Sequence, residues 1–160
     1  MMSQVLSEQA LGVRAFAALL RAHASSTRRL NAQLSADHGL TISDYEVLLR
    51  LSWAPDRRMR RVDLAEEVLL TASGITRLLD GLERSGLVDR ASCDGDRRVV
   101  YAVLTEAGRD KLRTASASHL VQVDELFSER LDQEELERVA ELLGKLGDGG
   151  DADTACAPGD

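Results

Sequence analysis

The 160-residue chain contains little cysteine and no long apolar run. Its two cysteines, Cys93 and Cys156, are far apart, and the second lies in a tail rich in Gly, Asp and Ala. A disulfide framework is therefore not expected, and a chain of this length can bury enough surface to fold without one. No stretch approaches the roughly 20 apolar residues that span a bilayer, and the N-terminus lacks the pattern of a secretory signal. We expect a soluble, cytoplasmic protein with no membrane association.

The sequence also lacks the usual signatures of catalysis and of metal binding. Its three histidines, His23, His38 and His119, are isolated, with no carboxylate or cysteine at a ligand spacing. It contains neither a Gly-x-Ser-x-Gly nucleophile elbow nor a glycine loop that could cradle phosphate. These absences argue against an enzyme, and we predict no metal and no cofactor.

The net charge of −7 is unfavourable for binding a polyanion, but it is unevenly distributed. Residues 1–49 carry no net charge, residues 50–113 carry +2, and residues 114–160 carry −9. The acidic excess therefore lies in the last third of the chain, and the middle can still present a basic face. The charge does not exclude nucleic acid as a partner.

Apolar spacing predicts two helices in the first third of the chain. Apolar residues at 13, 16, 20, 24, 30 and 34 recur every three to four residues, or at small multiples of that spacing, which indicates a long amphipathic helix to about Asp37. Ser43, followed three residues later by Glu46, predicts a capping box for a second helix. That helix should extend to about Trp53, before Pro55.

The middle of the chain has the pattern of a helix-turn-helix followed by a hairpin. A short helix through about Leu69 precedes another that runs to Ser85 and is terminated by Gly86. The inward face of the second helix is formed by Ile75, Leu78, Leu79 and Leu82. The period then changes to two in residues 87–92 and 99–104, which flank the turn signal Asp94-Gly95. We therefore predict a mainly helical α+β fold, a winged helix-turn-helix with a two-stranded wing.

Two further helices are predicted after the wing. Thr105 is placed to cap a helix to about Arg130, and Asp132 is placed to cap the last one. The helices at both ends of the chain have more apolar surface than the small winged core can cover, so we expect pairing with a second copy. The predicted dimer contacts are Val13, Phe16, Leu136, Val139, Leu142, Leu143 and Leu146. The acidic tail 147–160 is expected to be disordered.

Four segments in this order make the sequence similar to the MarR family. They are Leu64-Ala-Glu-Glu-Val68, the run from Ser73 to Arg90, Asp96-Arg-Arg98, and Leu104-Thr-Glu-Ala-Gly108. The resemblance implies one domain over residues 1–146, with a DNA-binding lobe at about 40–105 and dimerisation helices at 8–38 and 106–146. It also implies a homodimeric transcription regulator, with repression as the expected mode, that binds a pseudo-palindromic site in double-stranded DNA and responds to a small anionic or aromatic effector.

The second helix of the helix-turn-helix has the residue types that a recognition helix needs. Short donors and acceptors near its N-terminus, at Thr71, Ser73 and Thr76, can reach base edges or phosphates. Arg77 is the preferred base reader, because a guanidinium can be bidentate to guanine. As an alternative, Thr71 and Ser73 act only as helix caps.

Further basic residues flank this helix. Arg97 and Arg98 follow the hairpin turn and could enter a narrow minor groove, with Asp96 orienting the guanidinium; the resemblance aligns Arg98 with the arginine that the family inserts. Arg60 and Arg61 end a basic run that begins at Arg57 and contacts phosphates or forms an exposed loop. Arg84 and Arg90 are further candidates for phosphate contact. A merely solvated, charged loop is the alternative for the wing.

Two regulatory hypotheses remain open. The resemblance places an effector between the first two helices and the winged lobe, which implicates His23, Arg50 and Trp53, although Trp53 could simply be part of the core. Cys93 opens the wing, but the peroxide sensors of the family carry their cysteine on the first helix, so Cys93 is interpreted as incidental. The alternative function is a winged-helix protein-interaction module without DNA binding.

Overall fold

The computed structural model describes residues 2–68, 70–92 and 99–147. Its elements, in chain order, are α1 (Met2–His38), α2 (Ile42–Trp53), β1 (Arg58–Arg60), α3 (Arg61–Glu67), α4 (Ala72–Arg84), β2 (Val88–Ser92), β3 (Val100–Leu104), α5 (Glu106–Ser128) and α6 (Gln133–Gly144). Contacts divide the chain into two compact units, Met1–Leu120 and Val121–Asp160. The predicted hairpin turn, Cys93 and nearly all of the predicted acidic tail lie outside the described residues. Within the described ranges, no helix is long and apolar enough to cross a membrane.

The junction between α1 and α2 differs from the sequence prediction. Gly39 adopts a left-handed φ of 65° after the last turn of α1, and Thr41 then caps α2 by accepting from the Asp44 amide. Asp44 accepts in return from the Thr41 amide, which completes a capping box. The predicted cap at Ser43 with Glu46 is therefore wrong by two residues. Ile42 donates its amide to Asn31 on α1, and this tertiary contact helps to fix where α2 begins.

The helix-turn-helix consists of α3 and α4, as the sequence predicts. Thr71 caps α4 by accepting from the Gly74 amide, and Gly86 takes a left-handed φ of 71° just after the helix ends. The inward face of α4 is formed by the buried residues Ile75, Leu79 and Leu82, with Leu78 partly buried against the same core. The helical period therefore leaves the opposite face of α4 in solvent.

A three-stranded antiparallel sheet follows, with the order β1-β3-β2. Strands β2 and β3 are the two predicted strands of the wing, and Val88 pairs with Leu104 at their base. The sequence pattern does not predict the third strand, β1, which arises within the basic run because Arg58 and Arg60 pair with Val103 and Tyr101 of β3. The predicted two-stranded wing is therefore present, and β1 extends it into a three-stranded sheet.

The core of the first unit joins the helix-turn-helix to α1, α2 and the start of α5. Its fully buried side chains include Leu34, Leu48, Leu51, Leu64 and Val88. Two hydrogen bonds also tie α5 to the first helices: His38 Nε2 lies 2.6 Å from Ser118 Oγ, and Tyr45 Oη lies 3.0 Å from Ser116 Oγ.

The second unit contains the end of α5 and the helix α6. Helix α5 ends at Ser128, two residues before the predicted end, and Asp132 then caps α6 in a reciprocal box with Glu135. The predicted cap at Asp132 is confirmed. None of the residues of α6 is buried.

Candidate nucleic-acid interface

The N-terminus of α4 carries the short polar residues that are predicted to contact DNA. Thr71 and Ser73 are exposed, and their hydroxyl oxygens are 3.3 Å apart. Thr71 uses its side chain as the cap, so capping is one of its roles. The Thr76 hydroxyl donates to the Ala72 carbonyl one turn earlier, which leaves its lone pairs as acceptors. The first turn of α4 therefore offers hydroxyls together with unbonded backbone amides, a combination suited to anionic groups.

Arg77 projects from the same helix on its solvent side. Its side chain is exposed, and no described residue forms a hydrogen bond or an ion pair with its guanidinium. The adjacent positions Ile75 and Leu79 are buried, which fixes the rotation of the helix. None of the five N–H donors of Arg77 is engaged within the described part of the chain, so they can serve a ligand beyond the surface.

The arginines of the basic run from Arg57 to Arg61 contact different partners within the protein. Arg57 pairs with Glu106 at 2.5 Å and lowers the pKa of that carboxyl by hydrogen bonding and by charge. Arg58 stacks over Tyr101, with its guanidinium carbon 5.2 Å from the ring centroid. Arg60 forms a bidentate pair with Asp63, at 2.6 and 2.7 Å. Arg60 is exposed and Arg61 is partly buried, so the run is not a uniform phosphate-binding strip.

Arg90 on β2 is bound to two carboxylates of α4. Its Nε lies 2.8 Å from Glu83 Oε2, and its Nη2 pairs with Asp80 Oδ1. Arg84, the other predicted phosphate contact, donates from Nε to the Asp80 carbonyl. Sequence reasoning missed the pairing of Arg90, since a strand residue and a helix residue ten positions apart show no common periodicity.

A cavity of about 290 Å³ lies between α4 and the wing. Its apolar wall includes Leu79, Val88 and Ala102, and its polar groups include Arg61 and Arg90. None of the three predicted effector residues lines it. In the described part of the chain, no group of three or more His, Cys, Asp or Glu residues could hold a metal ion.

Of the three predicted effector residues, Arg50 and Trp53 are in contact. The guanidinium carbon of Arg50 lies 5.6 Å from the Trp53 ring centroid, and Arg50 Nη1 lies 3.4 Å from Glu67 Oε2. The neighbouring Glu46 has a raised pKa because burial outweighs the attraction of Arg50. Trp53 is 46% exposed, so the alternative that it belongs to the core is wrong. His23 is exposed on α1, and no described residue forms a hydrogen bond or an ion pair with it.

The predicted pairing surfaces contain exposed apolar side chains in each unit. In the first unit these include Val13 and Phe16 on α1. In the second unit, Leu142, Leu143 and Leu146 are exposed, while Leu136 and Val139 are partly buried. The predicted wing residues Asp96, Arg97 and Arg98 lie outside the described residues, so their roles stay predictions.

A helix-turn-helix with an open second helix, followed at once by a hairpin of a small antiparallel sheet, defines a winged helix-turn-helix protein. Comparison with known proteins gives the same result. A family model described as MarR family matches residues 38–99. MhqR, an HTH-type transcriptional regulator of Bacillus subtilis (strain 168), is 31% identical over 135 residues, which cover 84% of this chain and 90% of the relative.

Solved structures are similar in sequence and in fold. AbsC, a MarR family transcriptional regulator from Streptomyces coelicolor, is 32% identical with a TM-score of 0.73, over 82% of this chain and 88% of that chain. Sco3205, a MarR family regulator from the same organism solved in complex with DNA, is 28% identical with a TM-score of 0.76, over 89% and 90% of the two chains. The chain belongs to the MarR family of transcriptional regulators. The predicted family and fold class are confirmed.

Proposed function

We propose that the protein is a homodimeric repressor that binds a pseudo-palindromic operator in double-stranded DNA. The observation that carries the proposal is Arg77: it is exposed on α4, next to a first turn of hydroxyls and open amides, and no described residue pairs with it. Such a helix can enter the major groove with its N-terminus against the bases. The DNA complex of the similar regulator Sco3205 supports the same partner.

Two lobes are required because a single helix reads only a few base pairs. A twofold dimer presents two α4 helices about one helical turn of DNA apart, and an inverted repeat has the matching symmetry. The predicted wing residues Arg97 and Arg98, with Asp96 as the orienting group, would add minor-groove contacts. Repression needs only occupancy of the operator, whereas activation needs a further surface that contacts the transcription machinery.

Selection of duplexes from a random pool tests this proposal. We expect enrichment of an inverted repeat, and a logarithm of affinity that falls linearly with the logarithm of salt at about 0.9 per phosphate contact. Arg77→Ala should cost about 1 to 3 kcal/mol and relax preference at one base pair in each half-site. Absence of enrichment at low salt would favour the alternative, a protein-interaction module without DNA binding.

We further propose that a small anionic or aromatic effector releases the operator by preferring a different spacing of the two lobes. Two places support it: the pair Arg50 and Trp53, and the cavity beside Arg61 and Arg90. Trp53 is the only tryptophan in the chain, so its emission reports on one of them. An aromatic carboxylate that releases DNA and quenches this emission points to the first place. Release without quenching, abolished by Arg61→Gln, points to the cavity.

A further inference from the structure

Helix α4 carries its own negative charges next to the residue that we expect to read DNA. Asp80 follows Arg77 by three positions, a spacing at which side chains on a helix surface are neighbours and opposite charges pair. Glu83 follows Asp80 by three more. A free Asp80 would compete for the Arg77 guanidinium, and both carboxylates would repel phosphates.

Arg90 engages both of these carboxylates with different donors of one guanidinium. Nη2 pairs with Asp80 and Nε pairs with Glu83. The single planar guanidinium of Arg90, on β2, therefore bridges two acidic residues of α4. Arg84 lies on α4 itself but bonds the Asp80 carbonyl through its Nε. The arginine that pairs with the acidic side chains of α4 therefore comes from the wing.

We infer that Arg90 is a positioning residue that withholds Asp80 and Glu83 from Arg77 and from the DNA backbone. The inference rests on the proposed function and replaces the predicted phosphate contact of Arg90 with an indirect role. The side chain of Arg90 is 38% exposed, so solvent screens the two ion pairs and they add little to fold stability. Their effect is instead to keep both carboxylates away from Arg77, so that its guanidinium stays open to a base.

Substitutions by uncharged residues separate this role from the alternatives. Arg90→Gln should lower operator affinity at least tenfold, because it releases both carboxylates. Adding Asp80→Asn and Glu83→Gln to Arg90→Gln should restore affinity to within about threefold of the wild type. Arg113→Gln, which removes an exposed arginine paired with Asp110 on α5, is the matched control and should bind like the wild type.

The remaining outcomes overturn the inference in distinguishable ways. A triple variant that stays as weak as Arg90→Gln, with the salt slope reduced by about 0.9, would make Arg90 a direct phosphate contact. A triple variant with low operator affinity, the wild-type salt slope and a lowered melting temperature would show that Arg90 only stabilises the fold. Wild-type protein that binds no duplex would overturn the proposed function and this inference together.

Discussion

Gly108 shows at the scale of one residue why the helix after the wing begins as it does. The Thr105 hydroxyl donates to the Gly86 carbonyl and accepts from the Gly108 amide, which brings the chain after α4 against the first turn of α5. A Cβ at Gly108 would lie 2.1 Å from the Leu87 carbonyl oxygen and 2.7 Å from Leu104 Cδ1. The glycine of the Leu-Thr-Glu-Ala-Gly segment is therefore required by close backbone approach.

We predict that Gly108→Ala destabilises the protein by about 1 to 3 kcal/mol, since a backbone oxygen cannot move aside as a side chain can. The measurement is urea unfolding at a fixed protein concentration. Gly12→Ala is the control: a Cβ added at this position of α1 would have nothing within 4 Å, so the substitution should be neutral or stabilising by up to about 1 kcal/mol. Equal effects of the two substitutions would contradict the close-approach argument.

Among the residues whose burial the structure describes, His119 is the buried polar side chain. Its ring packs against Tyr45 with the centroids 4.7 Å apart, and its Nδ1 has no hydrogen-bond partner among the described residues. Burial lowers the pKa of His119 below its ordinary value, and the charge of the nearby His38 lowers it further. The native state therefore binds a proton at this imidazole less readily than the unfolded chain does.

Stability should accordingly fall on acidification. Above an unfolded-state pKa of about 6.5 both states are neutral and the native packing is fully available. Below that value the unfolded state binds the proton more readily, so stability is lost as pH falls toward and through the lowered native pKa. We predict that His119→Phe flattens the pH dependence of the unfolding free energy between about pH 7 and pH 5. An unchanged slope in His119→Phe would assign the acid sensitivity elsewhere.

At the scale of an element, the start of α2 offers a direct test of cap assignment. Thr41 makes the capping hydrogen bonds, whereas Ser43 lies inside the first turn. We predict that Thr41→Ala costs about 1 kcal/mol of unfolding free energy and that Thr41→Ser retains most of it. Ser43→Ala should be neutral or slightly stabilising, because alanine favours helix interiors. A larger loss from Ser43→Ala than from Thr41→Ala would return the cap to Ser43.

The elements that could be predicted from sequence are those with local signals. The caps at Thr71, Thr105 and Asp132 and the left-handed Gly86 each depend on residues within one helical turn. The inward face of α4 follows from its period alone. The exposed site residues Ser73 and Arg77 could therefore be selected from the sequence, because they alternate with a buried face that the apolar pattern defines.

The features that could not be predicted depend on distant partners. Strand β1 exists because β3 supplies its hydrogen bonds, and the start of α2 depends on Asn31. The pairing of the acidic residues on α4 depends on Arg90, which belongs to the wing. Trp53 ends an apolar helix and yet remains 46% exposed, since burial depends on what packs above it. No periodicity carries this tertiary information.

At the scale of the whole molecule, exposed apolar surface occurs in both units. The first has Leu11, Val13, Phe16, Leu19 and Leu20 on α1, and the second has Leu142, Leu143 and Leu146 near its end. Scattered exposed apolar residues are ordinary, but a run of them on one helix marks an interaction surface. A second copy is the partner that the proposed function requires.

Phe16→Asp tests this pairing without disturbing the fold, because Phe16 is 61% exposed in the single chain. We predict that the wild type sediments at twice 17.4 kDa and that the variant shifts toward the single-chain mass at micromolar concentration. Operator affinity should fall with it, since a lone lobe reads one half-site. Arg21→Asp, which is exposed and lies about 140° around α1 from Phe16 at about 100° per residue, should remain dimeric. If Phe16→Asp keeps the dimer mass while circular dichroism shows an intact fold, α1 does not carry the interface, and Leu143→Asp becomes the variant expected to break it.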